Sequence, residues 1–194
     1  MLKKRQRCGW CAGSQLYETY HDLEWGVPVY DDDLLFELLI LEGAQAGLSW
    51  ITILKKRSGY QDAFDGFNAE KIANYSSIKI RNLIANPRII RNRLKIESVV
   101  LNARLFLEIQ EREGSFYKYI WQFTDYQIQQ NNFVTINQVP TTSSISDKMS
   151  REMKKDGFKF VGSTICYAYM QAAGMVNDHL VSCFRHEECT RLSI

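Results

Sequence analysis

The chain has 194 residues, 45% of them hydrophobic and 24% charged, with a formal net charge of +2. That length and balance predict a single globular domain over residues 1–194 with a sizeable core. They exclude a bilayer span, because the longest apolar run, LLFELLILEGA, is short and broken by Glu37 and Glu42, and so small a charge does not by itself announce a nucleic-acid partner.

The N-terminal MLKKRQR is basic but no apolar stretch follows it, so no secretory signal is expected and a cytosolic location follows. In a reducing cytosol five cysteines point to metal binding, catalysis or packing rather than to disulfides. Helical periodicity then dominates the chain. Residues 14–25 (SQLYETYHDLEW) predict a helix with Ser14 as N-cap. Asp31, Asp32 and Asp33 suit the positive end of a second helix running through LLFELLILEGAQAG. SWITILKKR reads as a third start with Ser49 as cap, followed by FDGFNAEKIANY and SSIKIRNLIANP. A long apolar stripe from Ile89 to Glu113 predicts the next helix. SISDKMSREMKKDG and GSTICYAYMQAAG each end at a glycine that fits the position after a helix. NNFVTI at 131–136 is the one stretch that reads as a strand, and FKFV at 158–161 is β-prone but short. The fold class expected is all-α.

Charge is unevenly distributed. Lys79, Arg81, Arg88, Arg91, Arg93, Lys95 and Arg104 face Glu97 alone, a segment fit to hold phosphates, or else a solvated helix face. The histidines and cysteines gather at the two ends: Cys8, Cys11 and His21, then His179, Cys183, His186 and Cys189, with Cys166 apart. A redox pair at Cys8 and Cys11 would belong in a βαβ context that this sequence lacks. A zinc ion takes four nitrogen or sulfur ligands. His179 and Cys183, four residues apart, would stand on one face of a helix. The other two ligands would come from Cys8, Cys11 and His21, and spacing does not choose among them. The job implied is a structural staple joining the chain ends.

Four segments in order, RCGW (7–10), YHDLEWGVP (20–28), LEGAQAGLSWITILKKR (41–57) and GFKFVGSTICYAYMQAAGMVNDH (157–179), resemble the bacterial 3-methyladenine DNA glycosylase I family, over about Arg7 to Cys183. The resemblance implies an all-helical helix–hairpin–helix DNA glycosylase fold with one structural Zn²⁺ tying the N- and C-terminal segments. It places the ligands on Cys8, His21, His179 and Cys183 and leaves Cys11 outside the set. It implies double-stranded alkylated DNA as partner, free 3-methyladenine as product, a monomer, and base excision repair by monofunctional hydrolysis of the N-glycosidic bond. The hairpin would lie in ANPRIIRNR at 85–93, where Pro87 and Arg88 replace the usual glycines.

Such an enzyme must extrude its base, and a cationic purine asks for aromatic rings and a carboxylate. Trp10, Tyr17, Tyr20, Trp25 and Trp50 are the base-binding candidates, with Glu42 the catalytic carboxylate, expected to stay ionised against the base. Tyr17, Tyr20 and His21 fall on one helical face, which puts pocket and metal side by side. Leu48 resembles the apolar wedge that fills the stack, with Gln45 as plug. Arg88, Arg91 and Arg93 are candidates for phosphate contact, and Ser163 and Thr164 for the pocket floor. Phe64, Phe67, Trp121, Phe123, Phe158 and Phe160 are expected to be core. A DNA-binding module without catalysis and a thiol oxidoreductase are the competing readings.

Overall fold

The second predicted helix is the centre of the molecule. The structure, a computed structural model, describes residues 5–192, so most of the basic stretch read at the N-terminus (residues 1–4) lies outside it, as do residues 193–194. Helix α1 spans Gln15–Leu23 and α2 spans Asp32–Gln45. Every residue of α2 from Leu35 to Ala44 is buried, Glu37 and Glu42 included, because the helix is apolar on all sides. Its N-terminus is fixed twice. Asp31 accepts from Leu34 N at 2.9 Å, and the Asp32 carboxylate accepts from the backbone of Phe116 and Tyr117 at 2.8 and 2.7 Å.

Short helices α3 (Trp50–Leu54), α4 (Arg57–Ala63), α5 (Ala69–Ala73) and α6 (Ser77–Ala85) lead to the long α7 (Arg93–Glu113). Beyond it come α8 (Phe116–Trp121), α9 (Ser144–Lys155), α10 (Ser163–Ala172) and α11 (Phe184–Thr190). Helix α7 packs on α5 and α2, and α10 packs between α9 and α2. Phe64, Phe67, Trp121, Phe123 and Phe158 are buried in this core as expected, while Phe160 is only partly so.

Two expectations about elements are corrected. The long helix starts at Arg93 rather than Ile89, because Asn92 caps it by accepting from Lys95 N at 3.1 Å. Residues 131–136 are not a strand. The parallel pairing lies just before them, between β1 (Gln129–Gln130) and β2 (Val176–Asn177). The Gln138 side chain accepts from Val134 N and Thr135 N at 2.7 and 3.0 Å, so the amides a strand would offer to a neighbour are already satisfied.

Candidate functional site

Both ends of the chain meet at a buried cluster of Cys8, His21, His179 and Cys183, whose ligand atoms all lie within 4.8 Å of one another. His21 projects from α1, Cys8 precedes a single 3-10 turn at Gly9–Cys11, and Cys183 caps α11. The expected helical pairing of His179 with Cys183 does not occur. The segment after β2 is a turn, closed by Cys183 N donating to Leu180 O at 2.7 Å, and it brings the two side chains together just as well. Cys183 Sγ sits 3.4 Å from His21 Nε2 and 3.7 Å from His179 Nδ1, and Cys8 Sγ is 3.8 Å from His179 Nδ1. A tetrahedral zinc site would set such atoms roughly 3.3–3.8 Å apart.

The remaining ring nitrogens are engaged. His21 Nδ1 is 2.8 Å from Asp22 Oδ1, and Arg7 donates to Asp22 in turn, at 2.7 Å through one terminal nitrogen. His179 Nε2 is 3.0 Å from the Trp25 carbonyl. Each imidazole is thereby oriented with its other nitrogen towards the thiols, as metal-bound histidines are. The Cys183 thiol is pulled far below its usual range by the hydrogen bond with Cys8 and then, against the desolvation of burial, by both imidazoles. The same hydrogen bond holds the Cys8 thiol far above its usual range, so the two thiols share a proton that a metal ion would displace; the donor set and the spacing fit an ion of the zinc type.

Cys11 stands outside the cluster. It is fully buried, donates to the Cys8 carbonyl at 3.1 Å, and burial pushes its thiol up to about 11. A buried thiol with a raised pKa is a poor nucleophile, which removes the oxidoreductase reading. Cys11→Ser is expected to leave metal content and activity within about twofold of wild type, as elemental analysis and base-release assays would read; a loss of metal would put Cys11 back among the ligands.

Beside the cluster lies a cavity of about 370 Å³, and it gathers all five predicted base-binding residues, Trp10, Tyr17, Tyr20, Trp25 and Trp50, together with Glu42 and Gln45. Trp10 packs edge-on against Tyr17 at 4.9 Å, Trp25 at 5.0 Å and the His21 ring at 5.4 Å. Trp25 meets the His179 ring at 4.6 Å, and Tyr20 lies 5.5 Å from Trp50. Two rings of the cavity wall therefore rest directly on metal-cluster imidazoles. Burial holds the Tyr20 phenol well above its usual range, so its hydroxyl keeps its proton and can donate. Trp50 Nε1 is buried with no partner among the described groups.

Glu42 is 3% exposed. Burial pushes its carboxyl up to about 8, with no hydrogen bond or countercharge offsetting the desolvation. Burial by itself thus favours the protonated form at neutral pH, whereas the ionised Glu42 that was expected is the one held against a cationic base. A cation placed against it acts in the opposite sense.

Of the far wall, sequence reading named only Thr164. Thr164, Tyr167, Ala168 and Gln171 line the cavity from one face of α10, at the i, i+3, i+4 and i+7 spacing that was legible in GSTICYAYMQA. Thr164 is thus placed as expected, whereas Ser163 turns away to Ser146 and Asp147. Asp178 is the second buried carboxylate of the wall. Its oxygens accept from Asn131 and Gln171 at 2.7 Å each and from the Tyr167 hydroxyl at 2.8 Å, so it is structurally engaged. Ile136, Val139, Pro140 and Thr141 close the rim.

Leu48 lies outside the cavity and is 40% exposed, which excludes the plain core leucine. It follows Gly47, whose φ of +77° makes the sharp exit from α2. The connection from α6 to α7 has no residue with positive φ, so Pro87 and Arg88 fit where glycines were expected. It is clamped instead by Lys56 donating to Pro87 O at 2.8 Å and by Gly59, where a Cβ would meet Arg88 O at 2.5 Å. Arg88 pairs with Asp62 at 2.6 Å and Arg93 stands 3.9 Å from Glu97, both exposed pairs of little energetic weight. Arg91 is exposed.

A helical domain with a buried carboxyl in a ring-lined cavity, next to two thiols and two imidazoles, defines a protein built to hold a flat, electron-poor ring. The comparisons give the particular family. The model of the methyladenine glycosylase family matches residues 10–186, and the chain belongs to that family. It is 47% identical over 178 residues to DNA-3-methyladenine glycosylase 1 of Escherichia coli strain K12, covering 92% of this chain and 95% of that one. It is similar to a crystal structure of 3-methyladenine DNA glycosylase I with a TM-score of 0.91 at 46% identity, covering 93% of this chain and all of the other. A Staphylococcus aureus 3-methyladenine DNA glycosylase I, solved to explain recognition of 3-methyladenine, aligns with a TM-score of 0.89 at 35% identity, over 92% of this chain and 95% of its own.

Proposed function

We propose that the protein is a 3-methyladenine DNA glycosylase that excises the base from alkylated double-stranded DNA by hydrolysis. The observation that carries the reading is Glu42, a buried carboxyl without a countercharge, facing a cavity walled by tryptophan and tyrosine. N3-methylation of an adenine already bonded to sugar at N9 gives the ring a fixed positive charge. That charge relieves the burial cost of the Glu42 carboxylate, and aromatic faces add about 0.5–2 kcal/mol per ring in a dry site. Neutral adenine supplies neither gain.

In this reading Glu42 accepts hydrogen bonds from the flipped base, Tyr20 donates to it, Trp50 stacks on it, and Trp10, Tyr17 and Trp25 close the box. Leu48 enters the stack, with Gln45 at the cavity edge. Water adds to the sugar C1′ as the C1′–N9 bond breaks. The bonding pair goes to the purine and cancels its charge, and the water proton passes to solvent. The first acid after the α6–α7 connection is the exposed Glu97, and the next, Glu108, comes about three turns further along α7; in this reading the weakened bond needs no strong base from the protein. Nor does a lysine attack the sugar, and borohydride is expected to trap no covalent protein–DNA adduct; a trapped adduct would contradict the hydrolytic mechanism.

Cys8, His21, His179 and Cys183 would hold one structural Zn²⁺, which would supply a rigid link between chain ends and no chemistry at the sugar. The α6–α7 pair would act as the helix–hairpin–helix, with Arg88, Arg91 and Arg93 towards phosphates. In this reading the chain is a single domain that works as a monomer in the cytoplasm, where the DNA is. Separately, no helix among the described residues is long and apolar enough to cross a membrane. The direct test is to incubate N-methylated duplex DNA with the protein and identify the free base by chromatography. Release of 3-methyladenine is expected, and DNA binding with no free base would replace the enzyme by a binding module.

A further inference from the structure

One lysine of the basic segment, Lys95, turns inward and joins that segment to the edge of the pocket. Helix α2 ends at Gln45, and its last carbonyls have no helical partner. Lys95, partly buried in the first turn of α7, reaches across and donates through Nζ to Ala44 O at 2.8 Å and to Ala46 O at 2.6 Å. These two carbonyls bracket Gln45, which lines the cavity, and Ala46 leads through Gly47 into Leu48. The chain leaves helical geometry at Ala46 (φ −44°, ψ 116°) and turns at the positive φ of Gly47. Few other constraints hold this exit: a 3.4 Å bond from Ala46 N to Gly43 O and a 2.7 Å bond from Leu48 N to Gln45 O.

At its other end Lys95 is three residues past Asn92, the cap that closes the α6–α7 connection. That connection is itself clamped by Lys56 and Gly59. A rigid path therefore runs from the segment bearing Arg88 and Arg91, through the first turn of α7, to the carbonyls beside Gln45 and Leu48. An ammonium costs free energy to bury, and here it is aimed at two carbonyls of a helix C-terminus, where a cation is favoured.

We propose that Lys95 is a positioning residue that locks the Ala46–Ser49 turn to the hairpin, so that engagement of the DNA backbone sets Leu48 and Gln45 for base extrusion. The inference rests on the excision reading above and adds a residue that acts before the base enters the cavity. It separates extrusion from recognition: loss of Lys95 loosens the wedge and leaves Glu42 and the rings as they are.

The test is Lys95→Met, which keeps the side-chain stem and removes the charge, assayed on duplex methylated DNA, on the same DNA as a single strand, and by binding of free 3-methyladenine. The duplex kcat/KM is expected to fall about 10- to 100-fold, as for loss of a charged hydrogen bond. The single strand, which has no opposing stack to open, is expected to lose less than about threefold, and free-base affinity to stay within about twofold. Lys95→Arg, which keeps the charge and can donate to both carbonyls, should recover most of the duplex rate. Where K95M does not fold, K95Q takes its place with the same expected split. Equal losses on duplex and single strand, a parallel loss of free-base affinity, or an unchanged duplex rate would each overturn the proposal. A wild-type chain that releases no base would overturn the excision reading itself and this inference with it.

Discussion

Glu42→Gln is expected to lower kcat/KM for 3-methyladenine release by about 10- to 100-fold at pH 8, the scale of a hydrogen bond to a charged group. The amide keeps the shape and one acceptor but lacks the charge that answers a cationic purine. The loss should shrink at pH 6, where burial already keeps most of the wild-type carboxyl protonated. The same substitution should stabilise the fold at alkaline pH. The native carboxyl holds its proton up to about 8, whereas the unfolded chain loses it near 4.5. The stability this proton provides is complete below about 4.5 and is lost as pH rises through 8. At about 1.4 kcal/mol per pKa unit, the ceiling on the loss is about 5 kcal/mol. Thermal melts should therefore show E42Q gaining on wild type between pH 5 and pH 9. Parallel melting curves would mean that Glu42 is better solvated than its burial indicates. Function here is maintained against stability.

The second large effect belongs to the metal cluster. Cys183→Ser removes the thiol closest to both imidazoles, and bound zinc is expected to fall from about one per chain to a small fraction. A buried structural ion contributes several kcal/mol to folding, and a chain of this size loses roughly 2–4 °C per kcal/mol, so Tm should drop by about 10 °C or more. Activity should fall with it, although no ligand touches the reacting atoms, because Trp10 and Trp25 pack on the His21 and His179 rings. His21→Ala should behave alike. A variant that loses its zinc yet keeps both Tm and turnover would show the pocket to be independent of the cluster.

Much of this site was legible because its chemistry lies in local patterns. Tyr17, Tyr20 and His21 share a helical face by spacing alone, and a glutamate inside the apolar run at 38–44 stands out as costly. What the sequence could not show depended on long-range packing. The turn that brings His179 to Cys183 replaces the expected helix because β2 and the N-cap of α11 flank it. Asp178 escaped notice because its partners Asn131, Tyr167 and Gln171 come from separate segments. The upward shift of the Glu42 carboxyl escaped for a related reason: a carboxyl's pKa depends on how completely the fold excludes water, which composition does not encode. The hairpin without glycines was visible as an anomaly, but its resolution, close approach at Gly59 on another helix, was not.

The claim on which everything else depends is that Glu42 meets the substrate as a charge. The charge of N3-methylated adenine within DNA comes from a methyl group and not from a titrating ring proton, so around neutral pH the pH dependence of kcat/KM reports groups of the free enzyme. Measured from pH 5.5 to 9 with spontaneous release subtracted, wild-type kcat/KM is predicted to rise by about 10- to 100-fold in all and to level off above about 8, while E42Q shows no such rise. Superimposable profiles for the two proteins would contradict the account.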